Sequence, residues 1–310
     1  MEALEHDLEI QDRAYRARNG LLNFTTYTMP DYEVNWHHRA ICKVLNRWVF
    51  KKSRFVMLFV PPRHGKSELV TVRYAAWRLE QDPTLRLIVG AYNQFLANKF
   101  SRKIRRIARE RLSLSNDRSA VEEWETPQGG TLRAVGVGAG ITGQGGSLVV
   151  IDDPLKSREE AESEAYRDRL WEWYTDDMYT RLEPDAAIVL IQTRWHCDDL
   201  AGRILQSDGG KDWTVISLPA EAEEDDPLGR ELGAALCPER FDLPALQAIK
   251  SVLGQNYIAL YQQRPSPRGG GLIKLAWFQR YGTPPEERFT RIIQSWDTAN
   301  KAKELNDPWA

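Results

Sequence analysis

Three residues that could bind a phosphate stand together at Gly65-Lys66-Ser67. They follow an apolar run from Arg54 to Val60 and precede a segment with helical periodicity, which is the setting of a phosphate-binding loop. Backbone N–H groups around Gly65 would surround a β-phosphate, Lys66 would reach the β and γ oxygens, and the Ser67 hydroxyl would bind Mg²⁺. Val60 occupies the first glycine position of the full motif, G-x-x-x-x-G-K-[ST], so a chance match is the alternative.

Two adjacent carboxylates, Asp152 and Asp153, end a second apolar run that begins at Ser147. A buried strand that delivers an aspartate to the edge of a sheet is the other half of such a nucleotide site. We expect Asp152 to hold Mg²⁺ and Asp153 to act as the general base that polarises the attacking water. A turn or capping role for Asp153, directly before Pro154, is the alternative.

Other polar groups accompany these two motifs. Thr193 ends a third apolar run and is predicted to sense the γ-phosphate, or else it only ends the strand. Arg63 has a planar guanidinium suited to the charge on a transferred phosphoryl group, or else it is a surface arginine. The predicted nucleotide-binding residues are Arg63, His64, Gly65, Lys66, Ser67 and Thr193, and the predicted catalytic residues are Arg63, Lys66 and Asp153.

One predicted helix carries a row of basic residues. At helical spacing, Lys99, Arg102, Arg105, Arg106 and Arg109 share a face opposite Leu96, Phe100, Ile104 and Ile107. This face is a candidate for contact with DNA or with a neighbouring subunit, and Arg102 and Arg105 are candidates for an arginine that acts in a neighbour's site. A solvated outer face is the alternative.

The composition excludes several classes of protein. The chain has 310 residues, of which 42% are hydrophobic and 28% charged, and its net charge of -2 argues against a protein that coats nucleic acid with its whole surface. No apolar run approaches the ~18 residues of a membrane span and no signal sequence is visible, so we expect a cytoplasmic protein without a membrane partner. Cys42, Cys197 and Cys237 form no C-x-x-C pair, so neither a disulfide framework nor a zinc site is predicted.

Apolar runs alternate with helical patterns over most of the chain. This alternation predicts the α/β class, with a mostly parallel central sheet, flanking helices and a ligand at the carboxyl ends of the strands. The predicted strands are 54–60, 85–92, 131–137, 147–152, 186–193 and 213–218, and a capping box at Ser157 predicts one helix through Tyr174. The predicted parts are an N-terminal segment (1–35), a core (36–220), a lid subdomain (221–264), and a linker with one further strand (265–310).

Five short motifs stand in a fixed order along the chain. They are Pro61-Pro62-Arg63-His64-Gly65-Lys66-Ser67, Ile151-Asp152-Asp153-Pro154, Thr193-Arg194-Trp195-His196, Tyr261-Gln262-Gln263-Arg264-Pro265 and Ser295-Trp296-Asp297-Thr298-Ala299. Together they resemble the large subunit of tailed-phage terminases over about residues 36–300. In that family an ATPase of the additional-strand P-loop type, which uses ATP and Mg²⁺, drives double-stranded DNA into a procapsid. A C-terminal RNase H-like nuclease cuts the DNA.

The resemblance implies a role for each matching residue. The matching positions are Arg63, Lys66 and Ser67 in the phosphate loop, Asp152 for the metal, Asp153 for catalysis, Thr193 in the coupling motif, and Asp297 as the first acidic residue of the nuclease. A two-metal nuclease needs further carboxylates from later strands. Because the sequence ends at Ala310, we expect the ATPase part of a longer protein, without nuclease activity of its own.

Partners are also implied by the resemblance. They are a homo-oligomeric ring, double-stranded DNA bound without regard to sequence, a portal protein and a small terminase subunit, with the protein docked on the procapsid in the host cytoplasm. Two alternatives stay open. A helicase-like or other nucleic-acid-remodelling P-loop ATPase would share every phosphate-handling residue, and a nucleotide-binding regulator without turnover would fit Val60 and Asp153.

Overall fold

Seven β-strands are present in the residues that the computed structural model describes, which are 12–47 apart from Ala14, 54–141 and 143–266. In chain order they are β1 (Phe55–Phe59), β2 (Arg86–Ala91), β3 (Glu123–Glu125), β4 (Thr131–Gly136), β5 (Gly146–Asp152), β6 (Leu182–Gln192) and β7 (Trp213–Ser217). Each of the six predicted strands is therefore present. β3, a short strand, was not predicted from the sequence.

The strands form one sheet in the order β3-β4-β2-β5-β6-β1-β7. All neighbours run parallel except the short edge pair β3 and β4. β6 lies between β1 and β5, so the strand that precedes the phosphate loop and the strand that ends in the two aspartates are separated by one inserted strand. This order confirms the predicted α/β fold of the additional-strand P-loop type.

Helices connect the strands. They are α1 (Leu21–Thr28), α2 (Trp36–Arg47), α3 (Ala75–Gln81), α4 (Gln94–Arg111), α5 (Arg158–Glu162), α6 (Glu164–Glu172), α7 (Leu200–Gln206), α8 (Leu243–Leu253) and α9 (Asn256–Leu260). A π-helical segment, Ser67–Tyr74, leads directly into α3, and a second one, Trp173–Met178, follows α6. None of the helices in the described part of the chain combines the length and the apolar character needed to cross a membrane.

The sheet is buried on both faces, which explains why its strands are continuous apolar runs. Successive side chains of a strand point to opposite faces, so Val56 and Leu58 of β1 lie in one core and Met57 and Phe59 lie in the other. The first core contains side chains of α1 to α4, and the second contains side chains of α5 to α7. The sheet therefore lies between two layers of helices.

The helix predicted from Ser157 to Tyr174 was wrong in one respect, because it is interrupted at Ser163. Ser157 caps α5 by accepting a hydrogen bond from the Glu160 N–H, as predicted. Ser163 then has extended backbone and its side chain accepts from the Tyr166 N–H, so it caps a new helix, α6. Serine competes with the helix for backbone donors, and here that competition ends one helix and begins another.

A third, smaller core lies in the residues that follow β7. It contains Ala220, Leu246, Tyr257 and Tyr261, and it joins α8 to α9. The described residues as far as Pro265 belong to one compact unit. The boundaries drawn at 35, 220 and 264 therefore stay predictions, and the predicted strand that ends at Asp297 lies outside the described residues.

Candidate nucleotide-binding site

The loop after β1 has the conformation that an anion-binding loop requires. Arg63 and Gly65 both have left-handed backbone, with φ of 65° and 80°, and the helix begins at Ser67. When left-handed and right-handed residues alternate, successive backbone N–H groups turn toward one point. A Cβ atom on Gly65 would lie 2.7 Å from Nε2 of His38, so only glycine fits this position.

Val60, the departure from the glycine motif, is fully buried in the first core. It is absent from the residues with positive φ, because the left-handed turns of this loop occur later, at Arg63 and Gly65. A side chain at Val60 is therefore compatible with the loop and adds apolar contacts beneath it. The incomplete match to the motif has no steric consequence here.

The Lys66 side chain, after β1, contacts residues that follow the two strands β5 and β6. Its Nζ atom lies 2.9 Å from Oδ2 of Asp153, which follows β5, and donates a hydrogen bond of 2.8 Å to Oγ1 of Thr193, which follows β6. The lysine side chain is only 8% exposed. The three residues predicted from separate motifs thus meet at one edge of the sheet.

Asp152 is buried and bonded to the helix that follows the loop. Its Oδ1 accepts from the Ser67 hydroxyl at 3.0 Å, and its Oδ2 accepts from the Thr71 hydroxyl. Burial, and after it the negative charge of Asp153, raise the pKa of the Asp152 carboxyl well above its usual range. Thr71 was not predicted, although a position one helical turn after Ser67 faces the same direction.

Asp153 has left-handed backbone, with φ of 41°, which aspartate tolerates better than most residues. Its backbone N–H donates to the Ile191 carbonyl at 2.8 Å, and its Oδ1 accepts from the Thr193 N–H at 2.7 Å. The turn carries the carboxylate across the end of β6 to Lys66. The short aspartate side chain therefore reaches the loop, which the sequence alone could not establish.

A cavity of about 640 Å³ opens at this edge, within the range of small-molecule sites. The predicted residues that line it are Arg63, Gly65, Lys66, Ser67, Asp152, Asp153 and Thr193. Arg63 is exposed, as a residue at the mouth of a cleft would be. Tyr92, Lys103, Lys156 and Arg240 also line the cavity and were not predicted, and of these only Tyr92 carried a signal, because it directly follows a parallel strand.

The side chain of His64, a predicted nucleotide-binding residue, is not in this cavity. It is 1% exposed, its Nδ1 lies 2.8 Å from the Pro62 carbonyl, and its ring stacks on Phe241 at 4.9 Å between centroids. Any contact of this residue with a ligand in the cavity must come from its backbone.

Oxygen donors suited to a hard divalent cation lie beside the cavity. The Ser67 hydroxyl and the Asp152 carboxylate are adjacent, and Mg²⁺ prefers such oxygens together with those of bound phosphates and water. No group of three or more His, Cys, Asp and Glu residues that could hold a metal occurs in the described ranges. The donor set fits a cation that is shared with a nucleotide.

The basic face of α4 is present on the outside of the first layer of helices. Arg102, Arg106 and Arg109 are exposed, whereas Arg105 donates to the backbone carbonyls of Ser119 and Ala120. Partial burial, then the charges of Arg109 and Arg102, lower the pKa of Arg105. The charges of Arg102 and Arg109 thus act on Arg105 across this face.

The segment after β6 contacts the small third core. The Arg194 N–H donates to Oε1 of Gln263 at 3.2 Å, and the Arg194 guanidinium pairs with Asp199 at 2.9 Å. Gln263 is 4% exposed and has φ of 57°. Two motifs that are far apart in sequence, at Thr193–His196 and Tyr261–Pro265, are thereby in direct contact.

Comparison with known proteins agrees with the geometry. The family model described as the N-terminal part of the terminase large subunit of the T4-like-virus type matches residues 57–280. No match was found among curated protein sequences.

Solved structures with the same fold include two phage proteins. The ATPase domain of the Thermus phage P74-26 large terminase is 12% identical, with a TM-score of 0.52 over 78% of this chain and 97% of that one. The large terminase of bacteriophage HK97 is also 12% identical, with a TM-score of 0.50 over 76% of this chain. The chain covers about half of the HK97 protein, 52% of its length.

The buried histidines beside the loop predict a pH dependence of stability. Burial lowers the pKa of His37 to about 3 and that of His64 to about 4, below the ordinary value of about 6.5. Below that ordinary value the unfolded chain takes up protons that the folded chain does not. The free energy of unfolding should therefore fall as the pH drops from about 6.5 toward 4, by about 1.4 kcal/mol per pH unit for each histidine.

Urea unfolding at pH 7, 6 and 5, on wild type and on His37→Gln, measures this effect. The free energy of unfolding of the variant should fall less steeply with pH than that of wild type. The difference in slope should equal the contribution of one histidine, about 1.4 kcal/mol per pH unit. Equal slopes for the two proteins would show that His37 does not titrate as its burial requires.

Proposed function

Because the chain belongs to the T4-like-virus type of large terminase subunits, we propose that it is an ATP hydrolase that moves double-stranded DNA into a viral procapsid. The observation that carries this proposal is the contact of Lys66 with both Asp153 and Thr193 at one edge of the sheet. A loop lysine, a catalytic carboxylate and a residue that can sense the γ-phosphate are the parts that ATP hydrolysis requires.

ATP would bind with its phosphates in the cavity beside the loop. The N–H groups near Gly65 and the amino end of the following helix favour an anion there. Ser67 and Asp152 would hold Mg²⁺, which supplies charge neutralisation to the phosphates. Arg63, exposed at the cavity, would stabilise the charge that develops on the transferred group.

Lys66 would change partners when the phosphates bind. In the structure its ammonium group pairs with Asp153. Phosphate oxygens compete for the same ammonium, and a lysine that turns to them leaves the Asp153 carboxylate free to accept a proton from the attacking water. The Thr193 N–H bond to Asp153 would hold the carboxylate in place meanwhile. Asp153 would thus become an effective base only once the substrate is present.

Hydrolysis would be coupled to movement through Thr193 and its neighbour. The Thr193 hydroxyl is bonded to Lys66, and the next N–H, of Arg194, is bonded to Gln263, whose side chain in turn donates to the Leu260 carbonyl of α9. A change in the lysine's partner would be passed through Thr193, Arg194 and Gln263 to α9. This short connection supports the proposal that residues 221–264 act as a lid that moves during the cycle.

DNA would be contacted by the exposed arginines of α4. Arg102, Arg106 and Arg109 can neutralise phosphates without reading bases, which suits a motor that must accept every sequence. A homo-oligomeric ring in the host cytoplasm, with a portal protein and a small terminase subunit as partners, remains part of the proposal. In such a ring Arg102 or Arg105 is a candidate for insertion into the neighbouring ATP site.

The alternatives are weaker after the comparison. A helicase-like ATPase would share the loop and both aspartates, but the family match favours a packaging terminase. A regulator without turnover was suggested by Val60 and by the short side chain of Asp153. Val60 is compatible with the conformation of the loop, and the Asp153 carboxylate reaches Lys66, so neither residue supports that alternative.

Substitution of Asp153 tests the catalytic assignment. Asp153→Asn should reduce the rate of phosphate release from ATP at least a hundredfold, because the base is lost, while ATP binding changes only a few-fold. Lys66→Ala should weaken ATP binding itself. Asp185→Asn, an exposed aspartate of β6, is the control and should behave as wild type. Wild-type turnover by Asp153→Asn would exclude Asp153 as the base.

Substitution of α4 tests the DNA surface. Arg102→Ala combined with Arg106→Ala should weaken binding to every duplex alike and should lower the slope of log affinity against log salt by about 2. Lys211→Ala combined with Lys250→Ala removes the same charge elsewhere and should leave the slope unchanged. Equal effects of the two double variants would mean that binding depends on net charge and not on this helix.

Substitution of Gln263 tests the coupling route. Gln263→Ala removes the acceptor of the Arg194 N–H and should impair DNA movement in a packaging assay more strongly than it impairs ATP hydrolysis. Gln262→Ala is the matched control, because within the described residues the Gln262 side chain bonds to Glu221 and Glu223 of its own region. If both variants lost hydrolysis and movement in the same proportion, this route would carry no coupling.

A further inference from the structure

Two adjacent histidines of α2 contact one carbonyl of the phosphate loop. Nε2 of His37 lies 3.0 Å from the His64 carbonyl oxygen, and Nε2 of His38 lies 3.2 Å from the same oxygen. His37 is fully buried and His38 is 6% exposed. Their rings are 3.9 Å apart between centroids, so the two side chains reach this oxygen as a packed pair.

The hydrogen-bond partners define which ring nitrogens carry protons. A carbonyl oxygen only accepts, so both Nε2 atoms must donate to it. For His38 an independent contact agrees, because its Nδ1 accepts from the Asn35 N–H at 3.1 Å and must therefore be unprotonated. Both rings are thus neutral Nε2–H tautomers, and burial favours the neutral form by lowering the pKa of each histidine.

Planarity of the peptide bond converts this contact into an effect on the nucleotide site. In a trans peptide the carbonyl of His64 and the N–H of Gly65 point in opposite directions, and no cis peptide occurs in the described residues. Gly65 lies between the main cavity and a second one of about 420 Å³, which His38 lines on the α2 side. A carbonyl held toward α2 therefore leaves the N–H directed at the main cavity.

We propose that His37 and His38 are positioning residues, which hold the His64 carbonyl away from the nucleotide and so aim the Gly65 N–H at the β-phosphate. The proposal rests on the nucleotide site described above. Rotation of this one peptide would replace a donor with a carbonyl oxygen facing an anion, and the left-handed Arg63 and Gly65 give the loop no regular helix or strand to prevent it. The two histidines supply that restraint from outside the loop.

His37 allows the cleanest test, because its Nδ1 has no hydrogen-bond partner in the described part of the chain. His37→Phe keeps a ring but removes the donor, whereas His37→Gln places an amide N–H near the position of Nε2. Affinity for ADP should fall about tenfold in the Phe variant and should return to within a few-fold of wild type in the Gln variant. Affinity for AMP, which has no β-phosphate, should be similar in all three proteins.

Equal ADP affinities for the Phe and Gln variants would overturn the proposal. So would an equal loss for AMP, because that result indicates general damage to the site. Thermal unfolding of each variant identifies any loss that is due to folding alone. His38→Phe and His38→Gln provide a second pair if a His37 variant does not fold.

Crystal structures without nucleotide separate this inference from the proposed function. In His37→Phe/His38→Phe the peptide between His64 and Gly65 should leave the orientation it has in wild type, and an unchanged orientation would overturn the restraint. The single variants serve if the double variant does not fold. If wild type failed to bind ADP, the proposed function would be wrong, while these structures would still decide whether the histidines hold the loop.

Discussion

The site depends on the ion pair of Lys66 with Asp153 and on the hydrogen bond of the same lysine to Thr193. A largely buried ammonium group needs partners, and these partners directly follow two different strands. The sheet supplies them because β6 is inserted between β1 and β5, which brings the ends of all three strands to one edge. The strand order, the two packed layers and the loop conformation are all conditions for this one contact.

Much of this arrangement could be predicted from the sequence. Strands buried on both faces are continuous apolar runs, and the polar residue that ends each run must lie at the carboxyl edge of a parallel sheet. Asp152 and Thr193 were identified in this way, and Lys66 was identified by the phosphate-loop motif that follows the first run. His64 was predicted as a nucleotide-binding residue of the loop, but its ring lies outside the cavity, because a motif gives the chain position of a residue and not the direction of its ring.

The features that the sequence did not reveal depend on contacts between distant segments. Thr71 reaches Asp152 from the helix that follows the loop, and Arg240 joins the cavity from the region after β7. The left-handed turn at Asp153 decides whether its short side chain reaches Lys66. Hydrophobic periodicity does not predict the backbone angles of single residues. The contact of α2 with the His64 carbonyl is also a contact between distant segments, which the sequence did not reveal.

The most direct test is a crystal structure of the protein with Mg²⁺ and a non-hydrolysable ATP analogue. The quantity to measure is the distance between Lys66 Nζ and Asp153 Oδ2, which is 2.9 Å in the present structure. Our account predicts that the lysine leaves Asp153 for the β and γ oxygens, with the γ-phosphate beside Asp153 and Thr193. An analogue bound elsewhere, or a lysine that stays on Asp153 beside an empty cavity, would contradict it.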